Sequence, residues 1–246
     1  MSFKDHFSRQ SAAYRRYRPG YPPALLEFVA ARAPDRTLAV DCATGNGQAA
    51  VGLARHFDSV LAVDGSTRQL AGAEPSARVL YAAALAERLP VREHSVSLVT
   101  AAQAVHWFDF DRFHAECRRV LVPGGLLAVW SYEKFRVDAA VDAVVDRFYT
   151  EVVGDYWPPE RRYVAQGYRT LPFPWQEEAA PAFRLETDWS LEETMGYLAT
   201  WSAVQRYKDQ LGRDPLPDLR PQLAALWPSS GTRHLHWPIH LRVGRA

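Results

Sequence analysis

The stretch VDCATGNGQAA, residues 40–50, decides the fold. A buried-looking apolar run ends in an acid, Asp41, and turns through small residues, Ala43, Gly45 and Gly47, into a helical pattern. Small residues at this spacing let the backbone approach a ligand and let the next helix pack on the strand, whose neighbour's first N–H groups stay free. Outward from this turn, apolar runs at residues 37–42, 59–64, 77–82, 95–101 and 125–131 read as strands buried on both faces. Between them, residues 47–57, 66–73, 109–121 and 137–153 carry apolar side chains at helical spacing. Strands alternating with helices predict an α/β, doubly wound parallel sheet, and ligands of such sheets bind at the carboxyl ends of the strands.

The flanks suggest one domain over residues 1–246: an N-terminal arm (1–34), a cofactor-binding core (35–154), a loop-rich aromatic cap (155–181) and a C-terminal completion (182–246). In the last part, strands are expected at 182–188 and 232–243 and helices at 190–211 and 217–227. The 29 Lys+Arg balance 28 Asp+Glu, so the concentrated basic field of a nucleic-acid binder is missing. No apolar run is long enough for a membrane span or a signal-peptide core. Cys42 and Cys117 match no disulfide or zinc spacing and read as free, buried thiols of a cytoplasmic protein. Arg15, Arg16 and Arg18 read as a solvated helix face or a docking segment. His234, His236 and His240 alternate with apolar residues along one face of a strand, which argues against a metal site, and none is expected.

Two acids narrow the ligand. The second strand ends in Asp64, 23 residues after Asp41 and followed by Gly65 and Ser66, where doubly wound folds place a carboxylate against both hydroxyls of a ribose. The nicotinamide fingerprint G-x-G-x-x-G is missing, because the spacing is A-x-G-x-G-x-x-A. A carboxylate directly before the turn repels a pyrophosphate and suits a cationic amino group. S-adenosylmethionine carries an ammonium, a ribose diol and a sulfonium. A nicotinamide-dependent oxidoreductase and a non-catalytic S-adenosylmethionine binder are the alternatives.

With these motifs the chain resembles the class I S-adenosylmethionine-dependent methyltransferases of the small-molecule "type 11" group, including its trans-aconitate-methyltransferase-like branch. The resemblance rests on five pieces in order: residues 41–47 (DCATGNG), Asp64 with Ser66, residues 86–90 (AERLP), residues 106–109 (HWFD) and residues 119–125 (RVLVPGG). The usual first glycine of the loop is Ala43 here, which should narrow the turn. The resemblance implies a Rossmann-like sheet of about seven strands, the last antiparallel. It further implies that Asp41, Ala43, Thr44, Gly45, Asn46 and Gly47 hold the methionine end, that Asp64, Gly65 and Ser66 bind the ribose, and that Ala86 and Glu87 flank the adenine. Gln103 would line the pocket, and Tyr17 of the arm would close over the cofactor, leaving S-adenosylhomocysteine as product.

The acceptor is expected to be a small molecule methylated at oxygen, with a preference for a carboxylate. Methyl transfer from a sulfonium is an in-line substitution in which alignment supplies ~7–11 kcal/mol of barrier lowering. A base adds ~10²- to 10⁴-fold only if the acceptor must lose a proton. His106, just after the fourth strand, is the candidate catalytic group. Tyr21, Trp107, Trp157, Arg161 and Arg206 are the candidate acceptor contacts, since arginines pair carboxylates and aromatic walls hold an apolar body.

Overall fold

The computed structural model describes residues 17–246, so Tyr14, Arg15 and Arg16 of the expected arm lie outside the described residues. Five strands run parallel: β1 (Leu38–Cys42), β2 (Ser59–Asp64), β3 (Val79–Ala83), β4 (Val96–Ala102) and β5 (Leu121–Tyr132). Helices link them: α1 (Pro23–Arg32) precedes β1, and α2 (Gln48–Leu53), α3 (Thr67–Ala71) and α4 (Phe110–Val120) follow β1, β2 and a short 3-10 turn after β4. Beyond β5 come α5 (Ala139–Arg147), α6 (Arg161–Ala165), β6 (Gln176–Glu178), β7 (Phe183–Trp189), α7 (Leu191–Ala199), α8 (Ser202–Leu211), α9 (Leu216–Ala224) and β8 (Arg233–Arg245).

The spatial order is β3-β2-β1-β4-β5-β8, with β8 antiparallel to β5. At 13 residues, β8 is long enough to pair with β7 through its first half and with β6 through its last three residues. Eight strands therefore occupy seven positions, and the expected Rossmann-like sheet with its antiparallel last strand is the one observed. The chain leaves β1 toward β2 on one side and later returns to β4 on the other. This switch point opens a crevice at the carboxyl ends of β1 and β4.

Both faces of the sheet are covered, as the continuous apolar strands require. The period of two along β5 sends Leu126, Ala128, Trp130 and Tyr132 to one side and Leu127 and Val129 to the other. The first side packs against α1, α2 and α7, the second against Phe113, Cys117 and Val120 of α4. Cys42 and Cys117 are buried and free, and burial raises both thiols, so they pack as small hydrophobes.

Several expectations change at their edges. The expected helix over 190–211 breaks into α7 and α8 because Trp201, only 4% exposed, takes an extended backbone (φ −67°, ψ 131°) to reach the core. Part of the expected cap is a core layer: Val164, Tyr168 and Leu171 are buried beside α4, with Phe173 and Trp175 packed on them. Polar ties hold this layer down, with Trp175 Nε1 donating to His114 Nδ1 (2.9 Å) and Arg242 Nη1 donating to the carbonyls of Tyr168 and Leu171 (3.0 and 2.8 Å). Of the two readings for the basic cluster, Arg18 takes the docking one. It lies half-buried, its Nη1 donating to Tyr132 Oη at 3.1 Å and its guanidinium over the Tyr197 ring at 4.8 Å. Among the described residues no helix is long and apolar enough to cross a membrane, and no group of three metal-ligating side chains forms.

The aromatic knot on the β5–β8 side offers a stability test. Trp237 is fully buried among Phe135, Trp189 and Tyr197, and its Nε1 donates to Tyr197 Oη at 3.0 Å. Trp237→Ala is expected to cost about 3–5 kcal/mol in urea unfolding, from lost burial and the cavity left behind.

Candidate functional site

β1 delivers Asp41 to the crevice with only 1% of its surface exposed. The parallel register sets it beside Thr100 of β4, whose Oγ1 donates to Asp41 Oδ1 at 2.7 Å, and Thr44 Oγ1 donates to Oδ2 at 2.6 Å. Burial pushes the Asp41 carboxyl up to about 6, and the nearby Asp64 charge adds to the rise, while the two hydroxyl donors pull against it. A carboxylate so far from water is stabilised by any cation that docks against it.

The loop after Asp41 bends through left-handed backbone at Ala43 (φ +51°), Gly45 (φ +58°) and Gly47 (φ +89°). For Ala43 this conformation costs on the order of 1–2 kcal/mol, which a glycine would not incur. A Cβ on Gly45 would meet nothing within 4 Å, so this stretch of backbone faces open space. A Cβ on Gly47 would sit 2.2 Å from the hydroxyl of Tyr81, which itself donates to the Glu74 carbonyl at 2.7 Å. The loop is tied to β2 twice: Thr44 N donates to Val63 O (2.9 Å), and Gly45 N donates to Asp64 Oδ2 (2.9 Å). Asp64 Oδ1 accepts from Ser66 N at 2.8 Å, and Ser66 caps α3 through its Oγ. Asn46 is buried, with its carbonyl accepting from Glu74 N, and Gly65 is half-buried in the β2–α3 turn.

Across the crevice, Ala86 is buried and the half-buried Glu87 accepts on Oε1 a hydrogen bond from Asp109 N at 3.0 Å, at the start of α4. Gln103, at φ +55°, clamps β4 to β5: its Nε2 donates to Tyr132 O (2.9 Å) and its Oε1 accepts from Tyr132 N (3.2 Å). His106 sits in the 3-10 turn Val105–Trp107, its ring 4.8 Å from that of half-buried Trp107. Its Nδ1 lies 2.7 Å from Tyr168 Oη. Burial drives the imidazole down to about 3, with the Arg161 charge acting in the same direction.

The arm lies along the core face. Tyr17 packs its ring on Gly196 of α7, leaving no room for a Cβ there, and Tyr21 meets Trp130 edge-on at 5.4 Å. Trp157 stacks on Tyr149 at 4.7 Å and its Nε1 donates to the Tyr149 carbonyl. Arg161 lies half-buried over Trp157 (4.8 Å) with Nε 3.4 Å from Tyr149 Oη, and it has no carboxylate partner among the described residues. Arg206 stands half-buried on α8 and shares no hydrogen bond or ion pair with the other candidates among the described residues. Hydrogen bonds thus join Asp41 to Thr44 and join Gly45, Asp64 and Ser66, the two groups meeting at the Thr44–Gly45 peptide bond, while ring contacts join Trp157 to Arg161 and His106 to Trp107.

Sequence reasoning missed Thr100, Tyr81, Tyr132 and Tyr168. Thr100 was findable, because parallel pairing of the first and fourth strands sets a polar residue of β4 against Asp41. Tyr81 and Tyr168 carry no local signal, since each reaches its partner through folding of distant segments.

The family described as "methyltransferase domain" matches residues 40–129. A provisionally named methyltransferase of Dictyostelium discoideum is 32% identical over 225 residues, covering 90% of this chain and 86% of its own. An uncharacterized methyltransferase of Mycobacterium tuberculosis is 36% identical over 129 residues, 51% of each chain. Among solved structures, a provisionally assigned type II methyltransferase from Anaeromyxobacter dehalogenans superposes with a TM-score of 0.87 at 46% identity, covering 93% of this chain and 98% of its own.

The raised Asp41 carboxyl has a consequence for stability. A carboxyl whose folded value lies above its unfolded one stabilises the fold at low pH and loses that contribution as pH rises through about 6. Asp41→Asn in ligand-free protein is therefore expected to gain on the parent between about pH 4 and pH 7, by an amount on the order of 1.4 kcal/mol per unit of the raised value. Denaturant titrations of both proteins across that range check it; a pH-independent difference would contradict it.

Proposed function

We propose, starting from the fact that this chain belongs to the class I S-adenosylmethionine-dependent methyltransferases of the type 11 group, that it methylates an oxygen of a small-molecule acceptor, in particular a carboxylate. The observation that carries the acceptor class is Arg161: a half-buried guanidinium stacked on Trp157, lacking a carboxylate partner among the described residues, with a field that bears on His106. A guanidinium in that setting favours an anion, which it pairs in bidentate fashion. The aromatic rings of Trp157 and Trp107 suit an apolar body beside the anionic group. The resemblance of the chain to the trans-aconitate-methyltransferase-like branch supports the same class.

The residues present fit the cofactor. Asp41 would take the ammonium, since a buried carboxylate with two neutral hydroxyl donors is short of one positive charge. The open backbone at Gly45 leaves room for the methionine end, and Asp64, held at the end of β2 by Gly45 N and Ser66 N, would receive the ribose hydroxyls. When bound, S-adenosylmethionine supplies a methyl group on a positive sulfur. The protein's part is to orient the acceptor oxygen in line with that bond and to exclude water, which accounts for most of the rate gain in such a substitution. Tyr17 and Tyr21, packed along α7 and β5, serve as the wall on the arm side. The nicotinamide alternative is set aside by the family membership, and a non-catalytic binder remains an outcome of the test below.

Calorimetric titration with S-adenosylmethionine, S-adenosylhomocysteine and NADH, followed by transfer of labelled methyl to a panel of small carboxylic acids, tests this reading. Both adenosyl ligands are expected to bind and NADH is not, and Asp64→Ala is expected to weaken binding at least about tenfold, as expected for losing hydrogen bonds to a charged group. Cofactor binding with no labelled ester from any acid would overturn the acceptor proposal. The ionised Asp41 is the binding form, so affinity for S-adenosylmethionine is expected to fall about tenfold per unit of pH below about 6. With a productive acid in hand, Arg161→Gln should raise its KM about 10- to 100-fold and Arg161→Lys less, as for a charged hydrogen bond.

A further inference from the structure

We infer that Tyr168 is a positioning residue that locks His106 in the tautomer with its proton on Nε2, so that His106 presents a hydrogen-bond donor at the carboxyl end of β4 and does not act as a general base. The inference begins with the 2.7 Å contact between His106 Nδ1 and Tyr168 Oη. Either atom can carry the shared proton in principle. Tyr168 is fully buried, and Nδ1 is the one acceptor within reach of its hydroxyl among the described residues. Were Nδ1 the donor, the tyrosine proton would be left buried without an acceptor, a cost that buried polar groups avoid. The hydroxyl therefore donates to Nδ1, and the neutral ring keeps its proton on Nε2. Among the described residues no hydrogen bond reaches that nitrogen.

The backbone around Tyr168 is built to hold this contact. Tyr168 sits at φ +58°, which bulky residues rarely adopt, directly after Gly167 at φ +57°. Three ties enforce the turn: Tyr168 N donates to Tyr163 O (2.8 Å), Tyr168 O accepts from Arg242 of β8 (3.0 Å), and the His240 ring presses on Gly167 so closely that a Cβ would lie 2.8 Å from it. A strained tyrosine, fixed from α6 and β8 and aimed at one imidazole, is over-determined by its surroundings.

The groups facing His106 keep the ring neutral. Trp107 stacks against it, Tyr168 occupies Nδ1, and the charged group whose field bears on it is Arg161 of α6, which opposes protonation. A neutral Nε2–H donor suits an acceptor that arrives as an anion, and this clause rests on the methyl-transfer reading above. In the step, a carboxylate oxygen forms the bond to the methyl carbon, the carbon–sulfur bond breaks, and its electron pair stays on sulfur. The negative oxygen and positive sulfonium become a neutral ester and a neutral thioether, and no proton moves. Nε2–H of His106 would hold the second carboxylate oxygen beside Arg161.

Nitrogen-15 NMR of histidine-labelled full-length protein, saturated with S-adenosylhomocysteine and assigned with His106→Gln, tests the tautomer without a known acceptor. His106 is expected as the neutral Nε2–H form, unchanged between about pH 5 and 8, with Tyr168→Phe losing the tautomer bias. An Nδ1–H ring in the parent, or a ring that titrates in this range, would overturn the inference. If Tyr168→Phe fails to fold, the parent spectrum alone decides. Cofactor binding is read in the same sample by calorimetry, so a chain that binds no adenosyl ligand would undo the methyltransferase reading while leaving the tautomer result standing.

Discussion

A carboxylate drawn almost completely out of water at the end of β1 is the constraint on which the rest of the site depends. Asp41 is 1% exposed, and its two oxygens are met by the hydroxyls of Thr44 and Thr100. Neutral donors lower the cost of burying the charge without abolishing it, so the carboxyl sits near 6 and favours a cation. Everything nearby follows from holding that group in place. β4 must pair with β1 in the register that puts Thr100 alongside, and the loop must curl back at once so that Thr44 can reach the other oxygen.

The curl explains the spacing of small residues. Three left-handed positions in five residues bring Gly45 N onto Asp64 while the hydroxyl of the preceding Thr44 meets Asp41, so the loop holds both acids that close β1 and β2. The loop is thus held by the protein's own hydrogen bonds, and pre-organisation of this kind lowers the entropy lost on binding. Ala43 keeps the left-handed conformation despite its Cβ, so the departure from glycine raises the energy of the turn while the path of the chain stays the same. Tyr81, from β3, lies over Gly47 and ties the far side of the loop to the Glu74 carbonyl.

The opposite side of the crevice is built on different physics. Here aromatic rings carry guanidiniums. Gln103 fastens the ends of β4 and β5 through both atoms of its amide, while Arg18 and Arg161 lie against tyrosine and tryptophan rings. A cation on an aromatic face keeps its charge available at low hydration, which suits recognition of an anion. His106, buried and neutral, joins this side as a dipole oriented by Tyr168.

Much of the fold was legible in the residues themselves. Apolar runs of strand length, separated by helical periodicity, dictated a covered parallel sheet, because an element buried on both faces must be apolar on both faces. Asp41, the small residues after it and Asp64 were legible as neighbours at one end of the sheet, since strand ends and tight turns are local properties. The partners of those groups were decided only by tertiary structure. Thr100 meets Asp41 through strand register, and Tyr168 reaches His106 from 62 residues away through a strained turn pinned by β8. The cap illustrates the same division: proline and aromatic content suggested loops, and the path of those loops was set by the apolar surface that α4 leaves uncovered. Local patterning specifies which elements form, whereas burial of one element by another depends on distances in space that a linear sequence does not contain.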